Sequence, residues 1–409
     1  MLLRDYNPTT DRSAAVRIFR EVGWITDEKH EKAADAIFDL GRTLVADLEG
    51  SVECLVSSHP GTIRHLHEDL DLTAVTGVAT SRVARKRGLA GRLTARLLAE
   101  DALAGAHVAV LGIFEQGFYN QLGFGNGSYE HWYALDPARL LVPTPSRVPV
   151  RLGSDDWQEM HENRLRRRRT HGSCSLVSPE MTKAEVLWSD NGFGLGFRAA
   201  DGTLSHHVWC MAKQAEHGPY TVLWMAYETR AQFIELLGLL KTLGDQVRTI
   251  KLDEPPGIQL LDLVEQPFKT RQMTHQTPHE ARMTASPYWQ ARILDLPTCI
   301  ARTRLPHEEV RFQLEITDPV ERFLDANAGW RGTSGSYIVT LGRESHCTSG
   351  QDTNLPALRA SINAFTRLWL GVRSATSLHW TDDLEGSEEL LAQLDEVLRL
   401  PVPRPDWEF

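Results

Sequence analysis

The stretch Arg85-Lys86-Arg87-Gly88-Leu89-Ala90 sets three cations beside a glycine and an alanine, where a hydrophobic strand must end and a helix begin. A helix N-terminus presents unpaired N–H groups and the positive end of the peptide dipole, and small residues let an anion approach the backbone. Arg85, Lys86 and Arg87 add charge able to pair with phosphate oxygens. The chemistry on offer is a cradle for a phosphate or pyrophosphate. A solvated basic turn competes with it, as for any short motif, and the strand-to-helix setting is what favours the cradle.

No other cluster has ligand spacing. His65 and His67 alternate as on one strand face and His206-His207 are adjacent, but none has carboxylate or cysteine partners at metal-ligand spacing, so satisfied or solvated histidines are expected. The five cysteines are far apart and form no CxxC pair, so the expectation is reduced packing residues and no metal. The run Arg164-Leu165-Arg166-Arg167-Arg168-Arg169 reads as a solvated helix face or a subunit contact. A formal charge of -10 and a pI near 5.9 argue against broad affinity for nucleic acid or anionic membrane. A cationic small molecule suits that charge better.

The N-terminus, Met1-Leu2-Leu3-Arg4-Asp5-Tyr6, has charges where a signal peptide needs an apolar core. No later run approaches the roughly 20 apolar residues of a membrane span, so no membrane association and a cytoplasmic location are expected.

The elements that must position the cradle follow from periodicity. Strands are expected at Leu2 to Arg4, Leu44 to Asp47, Val52 to Ser57, Thr73 to Thr80 and Val108 to Leu111, with a helix opened by Thr10 or Asp11. After the basic turn, Leu89, Leu93, Leu97 and Leu98 mark an amphipathic helix that Gly105 stops. A chain of 409 residues exceeds one hydrophobic core, and two or three domains are expected. Pro143 to Pro149 reads as a linker. Beyond it Val150-Arg151-Leu152 and Asp155-Asp156-Trp157 echo the chain's opening, and a strand Thr221 to Ala226 leads into an apolar helix, a degenerate copy of the first domain. After Pro306 come strands Val310 to Ile316 and Ser336 to Leu341, an amphipathic helix carrying Leu358, Ile362, Phe365 and Trp369, and a last helix over Ser387 to Arg399. Pro401, Pro403 and Pro405 then stiffen an arm ending Asp406-Trp407-Glu408-Phe409, expected to be docked.

Arg85 to Ala90 resembles the Q/R-x-x-G-x-G/A motif of the GNAT acetyltransferases, and Phe114 to Phe124 resembles that family's short helix with a tyrosine followed by a Gly-aromatic turn. The full-length pattern resembles the enhanced intracellular survival (Eis) family of GNAT N-acetyltransferases. The fold class this implies is mixed α/β (α+β): a GNAT domain over 1–145, a degenerate GNAT-like domain over 146–304 and a sterol-carrier-protein-like domain over 305–409. The cofactor implied is acetyl-coenzyme A, held by Arg85, Lys86, Arg87, Gly88, Leu89 and Ala90, with the backbone N–H groups of Val78 and Thr80 on the thioester carbonyl and pantetheine. No metal is expected.

Amide formation from an amine and a thioester needs a neutral amine, a stabilised oxyanion and a proton for the departing thiolate. The resemblance makes Tyr119 the general acid and the carboxylate of the C-terminal Phe409 the general base. Such a carboxyl titrates near 3.5, so it accepts a proton only when desolvated or through a water relay. Trp24, Asp27 and Glu408 are the implied substrate contacts, the acids supplying negative charge and Trp24 an apolar or cation-π wall. A core indole and a solvated loop carboxylate are equally open readings of Trp24 and Asp27. The implied reaction is direct transfer to a primary amine of an aminoglycoside or polyamine-like molecule, in a homo-oligomer that is hexameric in the family. A protein lysine acetyltransferase and a non-catalytic carrier are the alternatives. The second domain should bind no cofactor: Ala226 to Gln232 lacks a glycine, and Thr229 with Gln232 forms a capping box that uses up the helix N–H groups.

Overall fold

The computed structural model describes residues 1–113, 115–306 and 309–409, so Phe114 of the tyrosine motif lies outside the described residues. The chain opens with β1 (Leu2–Asp5), α1 (Pro8–Glu21), α2 (Glu28–Leu40), β2 (Arg42–Leu48), β3 (Ser51–His65), β4 (Glu68–Thr80), α3 (Leu89–Leu103), β5 (Val108–Gly112), α4 (Gln116–Asn120) and β6 (Gly125–Asn126). Helix α1 begins three residues earlier than Asp11, because Pro8 is preset for the first helical position and the Asn7 side chain accepts the Thr9 N–H. Asp11 is instead buried and takes a two-oxygen bridge from Arg4 at 2.5 and 3.0 Å.

The middle of the chain holds β7 (Glu130–Leu135), β8 (Val150–Leu152), α5 (Trp157–Arg166), β9 (Cys174–Leu176), α6 (Pro179–Trp188), β10 (Gly192–Arg198), β11 (Leu204–Ala212), β12 (Tyr220–Ala226), α7 (Arg230–Thr242), β13 (Ile250–Asp253), α8 (Pro267–Thr274) and β14 (Arg282–Ser286). The last part holds β15 (Trp289–Ile293), α9 (Leu296–Ala301), β16 (Val310–Thr317), β17 (Gly335–Leu341), β18 (His346–Ser349), β19 (Ala357–Ser361), α10 (Ile362–Trp369), α11 (Ala375–Thr381), β20 (Leu384–Glu385) and α12 (Glu388–Val397). Leu358, expected on a helix, sits on strand β19, and Ser361 ends that strand by capping α10 through the Ala364 N–H. A hydroxyl cap inside an apolar run is a local boundary that periodicity alone does not register.

One sheet runs β1-β2-β3-β4-β5-β15-β6, with β9 added on β3. Its neighbours are antiparallel except for β4 and β5. A second sheet runs β8-β10-β11-β12-β13-β7-β14 and repeats that pattern, with β12 and β13 as the parallel pair. The expected degenerate copy is thus present as topology. The strand beside the parallel pair is supplied from far along the chain in both sheets: β15 in the first, β7 in the second.

The chain accordingly forms two compact units, one of residues 1–128, 170–177 and 287–409, the other of 129–169 and 178–286. This departs from boundaries at 145 and 304. The sequence passes to the second sheet at β7, upstream of the proline stretch, visits the first briefly at β9 and returns to it at β15. Pro143 to Pro149 is irregular as expected, but it lies inside the second unit.

The first unit packs Leu89, Leu93, Leu97 and Leu98 of α3 with Val56, Leu111, Leu122 and Phe124, and also carries the C-terminal sheet β18-β17-β16-β19-β20. In the second unit the arginine run is a solvated face only in part, with Arg166 and Arg168 exposed. Arg164 and Arg167 are 3% and 5% exposed. Arg164 is ion-paired with Glu185, donates to Thr182 Oγ1 at 3.0 Å and lies 4.3 Å from the Trp224 ring centroid. A guanidinium survives such burial only with partners of this kind.

Candidate active site

The parallel pairing of β4 and β5 ends at Val75↔Leu111, whereas β4 runs on to Thr80 with β3 still on its other side. Beyond Val75 the strands part. Edge groups of β4 in the stretch holding half-buried Val78 and Thr80 therefore have no β5 partner. A chain with a backbone of its own, such as pantetheine, can occupy such a gap.

The basic turn follows. Arg85, Lys86, Arg87 and Gly88 are exposed, Leu89 is buried in the core and Ala90 is half-buried. Lys86 (φ 61) and Gly88 (φ 73) take left-handed backbone, which swings the chain into α3 with Gly88 as N-cap. No side chain caps this helix. Its first N–H groups are free for an anion, with three cations at hand. In the second unit the equivalent helix α7 is closed: Thr229 Oγ1 accepts the Gln232 N–H at 3.3 Å, and Gln232 Oε1 accepts from Thr229 and Glu228 at 3.0 and 2.7 Å. Two helices in the same topological position thus have opposite N-termini.

Tyr119 lies on α4, directly after β5, and is 8% exposed among Phe118 (4.9 Å between centroids) and Phe124 (6.1 Å). Burial pushes its phenol up to about 12, so the hydroxyl keeps its proton at neutral pH.

The proline arm docks, as expected. Arg404 N–H donates to His171 O at 3.1 Å, Cys174 N–H donates to Pro405 O at 2.7 Å, Ser128 Oγ bonds Pro403 O, and Trp407 is 6% exposed. The arm ends against β5. A Cβ built on Gly112 would stand 2.8 Å from the Phe409 main-chain oxygen. Gly112, the last residue of β5, is a position the sequence reading missed; no motif marks it, since its partner is the far end of the chain.

Trp24 and Asp27 both have structural duties. Gly23 (φ 84) ends α1, the Trp24 N–H reaches back to Phe19 O at 2.9 Å, and the Trp24 ring meets Phe19 edge-on at 4.8 Å, the usual hydrophobic contact of such a cap. Asp27 is exposed and caps α2 by accepting the His30 N–H at 2.9 Å, which holds its carboxyl below the usual range. Glu408 is exposed. His65 stacks on Trp369 at 4.5 Å, and His207 Nδ1 meets Asn163 Oδ1 at 2.7 Å. Among the described residues no cluster could hold a metal ion, and no helix is long and apolar enough to cross a membrane.

A splayed parallel pair, an uncapped helix with basic turn and a buried tyrosine after the second strand form a candidate site for an acyl-coenzyme A. Residues 5–127 match the Acetyltransferase (GNAT) domain, and residues 296–405 match the Sterol carrier protein domain. The chain is an acyltransferase with a GNAT domain, and its cofactor is acetyl-coenzyme A. Among solved structures it is similar to a probable N-acyltransferase of Enterococcus faecalis V583, at 18% identity and TM-score 0.78 over 100% of this chain and 99% of that one. It is similar also to a GCN5-related N-acetyltransferase of Kribbella flavida (19% identity, 100% and 98% covered, TM-score 0.76) and to Eis1 of Mycobacterium abscessus (18% identity, 100% of both covered, TM-score 0.76). At these identities the likeness is one of fold. No curated protein matches the sequence.

Proposed function

We propose that this protein transfers acetyl from acetyl-coenzyme A directly to a primary amine of a cationic small molecule of the aminoglycoside or polyamine class, as an Eis-like enzyme. The carrying observation is the Phe409 main-chain oxygen at the end of β5, the strand that leads into the Tyr119 turn and parts from β4. In this reading the neutral amine attacks the thioester carbonyl, whose oxygen takes on negative charge beside the backbone N–H groups of Val78 and Thr80. The carboxylate of Phe409, directly or through a water, takes the amine's proton. The C–S bond then breaks and the Tyr119 hydroxyl protonates the leaving thiolate.

Arg85, Lys86, Arg87, Gly88, Leu89 and Ala90 hold the pyrophosphate. Asp27 and Glu408 supply negative charge to a polyamine and Trp24 an apolar wall, roles compatible with their structural duties. A net charge of -10 supports a cationic guest. A homo-oligomer, hexameric as in the family resembled, and a cytoplasmic location belong to the same reading.

The test is release of coenzyme A thiol with a panel of polyamines, aminoglycosides and lysine peptides, comparing the native chain, Tyr119→Phe and a chain extended beyond Phe409. Turnover with small polyamines, a loss of about 100-fold or more in Tyr119→Phe and a comparable loss on extension are expected. Unchanged turnover in the extended chain would remove Phe409 from the mechanism, and turnover with lysine peptides alone would replace the substrate class.

A further inference from the structure

Tyr119 sits on a helix of five residues, Gln116 to Asn120. So short a helix has no stability of its own, and its last carbonyls have no partner within it. What holds it comes from elsewhere. Tyr119 O is closed locally by the N–H groups of Leu122 (2.9 Å) and Phe124 (3.2 Å). Asn120 O, which also accepts the Gly123 N–H at 3.2 Å, and Phe124 O, on either side of the turn, are both taken by the amide of Asn363, whose Nδ2 donates to them at 2.9 and 2.7 Å. Both partners are carbonyl oxygens, so only the NH₂ of Asn363 can face them. Asn363 is 8% exposed, on α10, within the sterol-carrier match and in the same compact unit as Tyr119.

The neighbours reinforce this grip. Gln290 Nε2 donates to Asn120 Oδ1 at 2.8 Å, and Arg292, fully buried, bonds Leu122 O and pairs with Asp318 at 2.7 Å. Phe124, whose carbonyl Asn363 holds, is also the ring packed against Tyr119. Moving Asn363 therefore moves both the backbone and the wall of the tyrosine.

We propose that Asn363 is a positioning residue for acetyl transfer: the C-terminal domain, through this buried amide beside the exposed Arg322 contact to Gln121, fixes the turn that aims the Tyr119 hydroxyl. The inference rests on the reading of Tyr119 as the acid. Substitution removes both donors, taking the Asn363 amide from Phe124 O and leaving Asn120 O with the Gly123 N–H at 3.2 Å, and a displacement of about 1 Å at a reacting group can cost on the order of 100-fold in rate.

The experiment is a double-mutant cycle in the full-length enzyme, with kcat and the acetyl-coenzyme A KM measured by thiol release for the native chain, Tyr119→Phe, Asn363→Ser and the double variant. Asn363→Ser should lower kcat about 10-fold or more, leave KM within about 2-fold, and cost less than about 2-fold further once Tyr119 is already Phe. A folded Asn363→Ser enzyme with native kcat, or losses that multiply in the double variant, would overturn the proposal. Native turnover in Tyr119→Phe alone is a different failure, because it removes the acid and the proposal with it. Should Asn363→Ser melt below the assay temperature, Asn363→Asp keeps the shape while turning donor into acceptor, and the same coupled or uncoupled pattern decides.

Discussion

A main-chain oxygen 2.8 Å from where a methyl group would stand makes Gly112 a probe of the terminus that leaves the terminus itself untouched. Gly112 pairs with Trp289 in ordinary strand, so alanine changes only the clearance. Gly112→Ala should lower kcat about 10-fold or more by pushing Phe409 aside, with melting temperature and acetyl-coenzyme A KM nearly unchanged; thiol-release kinetics and a thermal melt check it. Tyr119 makes a second statement at this scale. Its folded value of about 12 exceeds the free phenol's, so the acid form is fully present at neutral pH and is lost only as pH rises through about 12. Tyr119→Phe should therefore lower the rate at every pH from about 6 to about 10 without shifting the profile, which a pH series of kcat/KM for both enzymes would test.

At the scale of elements, the contrast between α3 and α7 shows how one topology is put to two uses. A glycine N-cap leaves α3 open to an anion, while a capping box closes α7. The C-terminal end of α10 is held by an unusual pair of side chains. His65 Nε2 and His171 Nε2 lie 3.3 and 3.0 Å from the carbonyls of Trp369 and Leu370, and His171 Nδ1 accepts the Leu66 N–H at 3.0 Å. That arrangement requires a neutral His171 ring, and burial lowers His65 to about 3 and His171 to about 4. Both folded values lie below the unfolded one near 6.5, so their stability contribution is complete above about pH 6.5 and is lost as pH falls toward 4 and 3. The melting temperature should fall over that window. In His171→Asn the slope should flatten by about one proton, as calorimetry at a series of pH values would register.

For the whole molecule, the exchange of strands sets what can fold alone. Residues 1–145, the first domain as the sequence divides it, lack β15, and without β15 the strand Val108–Gly112 becomes a hydrophobic edge and β6 has no neighbour. This fragment should show no cooperative melt and should bind a hydrophobic dye, whereas the full chain melts cooperatively; a compact fragment with a sharp transition would contradict the role given to β15. The C-terminal domain is tied in from the other side by Asn363, Arg292 with Asp318, and the arm that ends at Gly112.

The features legible in the sequence are those whose causes are local. The basic turn, the leucine ladder of α3, the capping box of α7 and the stiff terminal arm each depend on residues a few positions apart, so periodicity and composition expose them. The helix start at Pro8, the strand assignment of Leu358 and the burial of Arg164 turned on caps and partners that a pattern of apolar residues does not encode. The exchange of β7 and β15, the oxygen of Phe409 over Gly112 and the amide of Asn363 under the tyrosine turn belong to the tertiary structure alone. Each joins residues far apart in the chain. The loop entropy such contacts must overcome is met only by the packing of a whole unit, so no short window of sequence contains their cause.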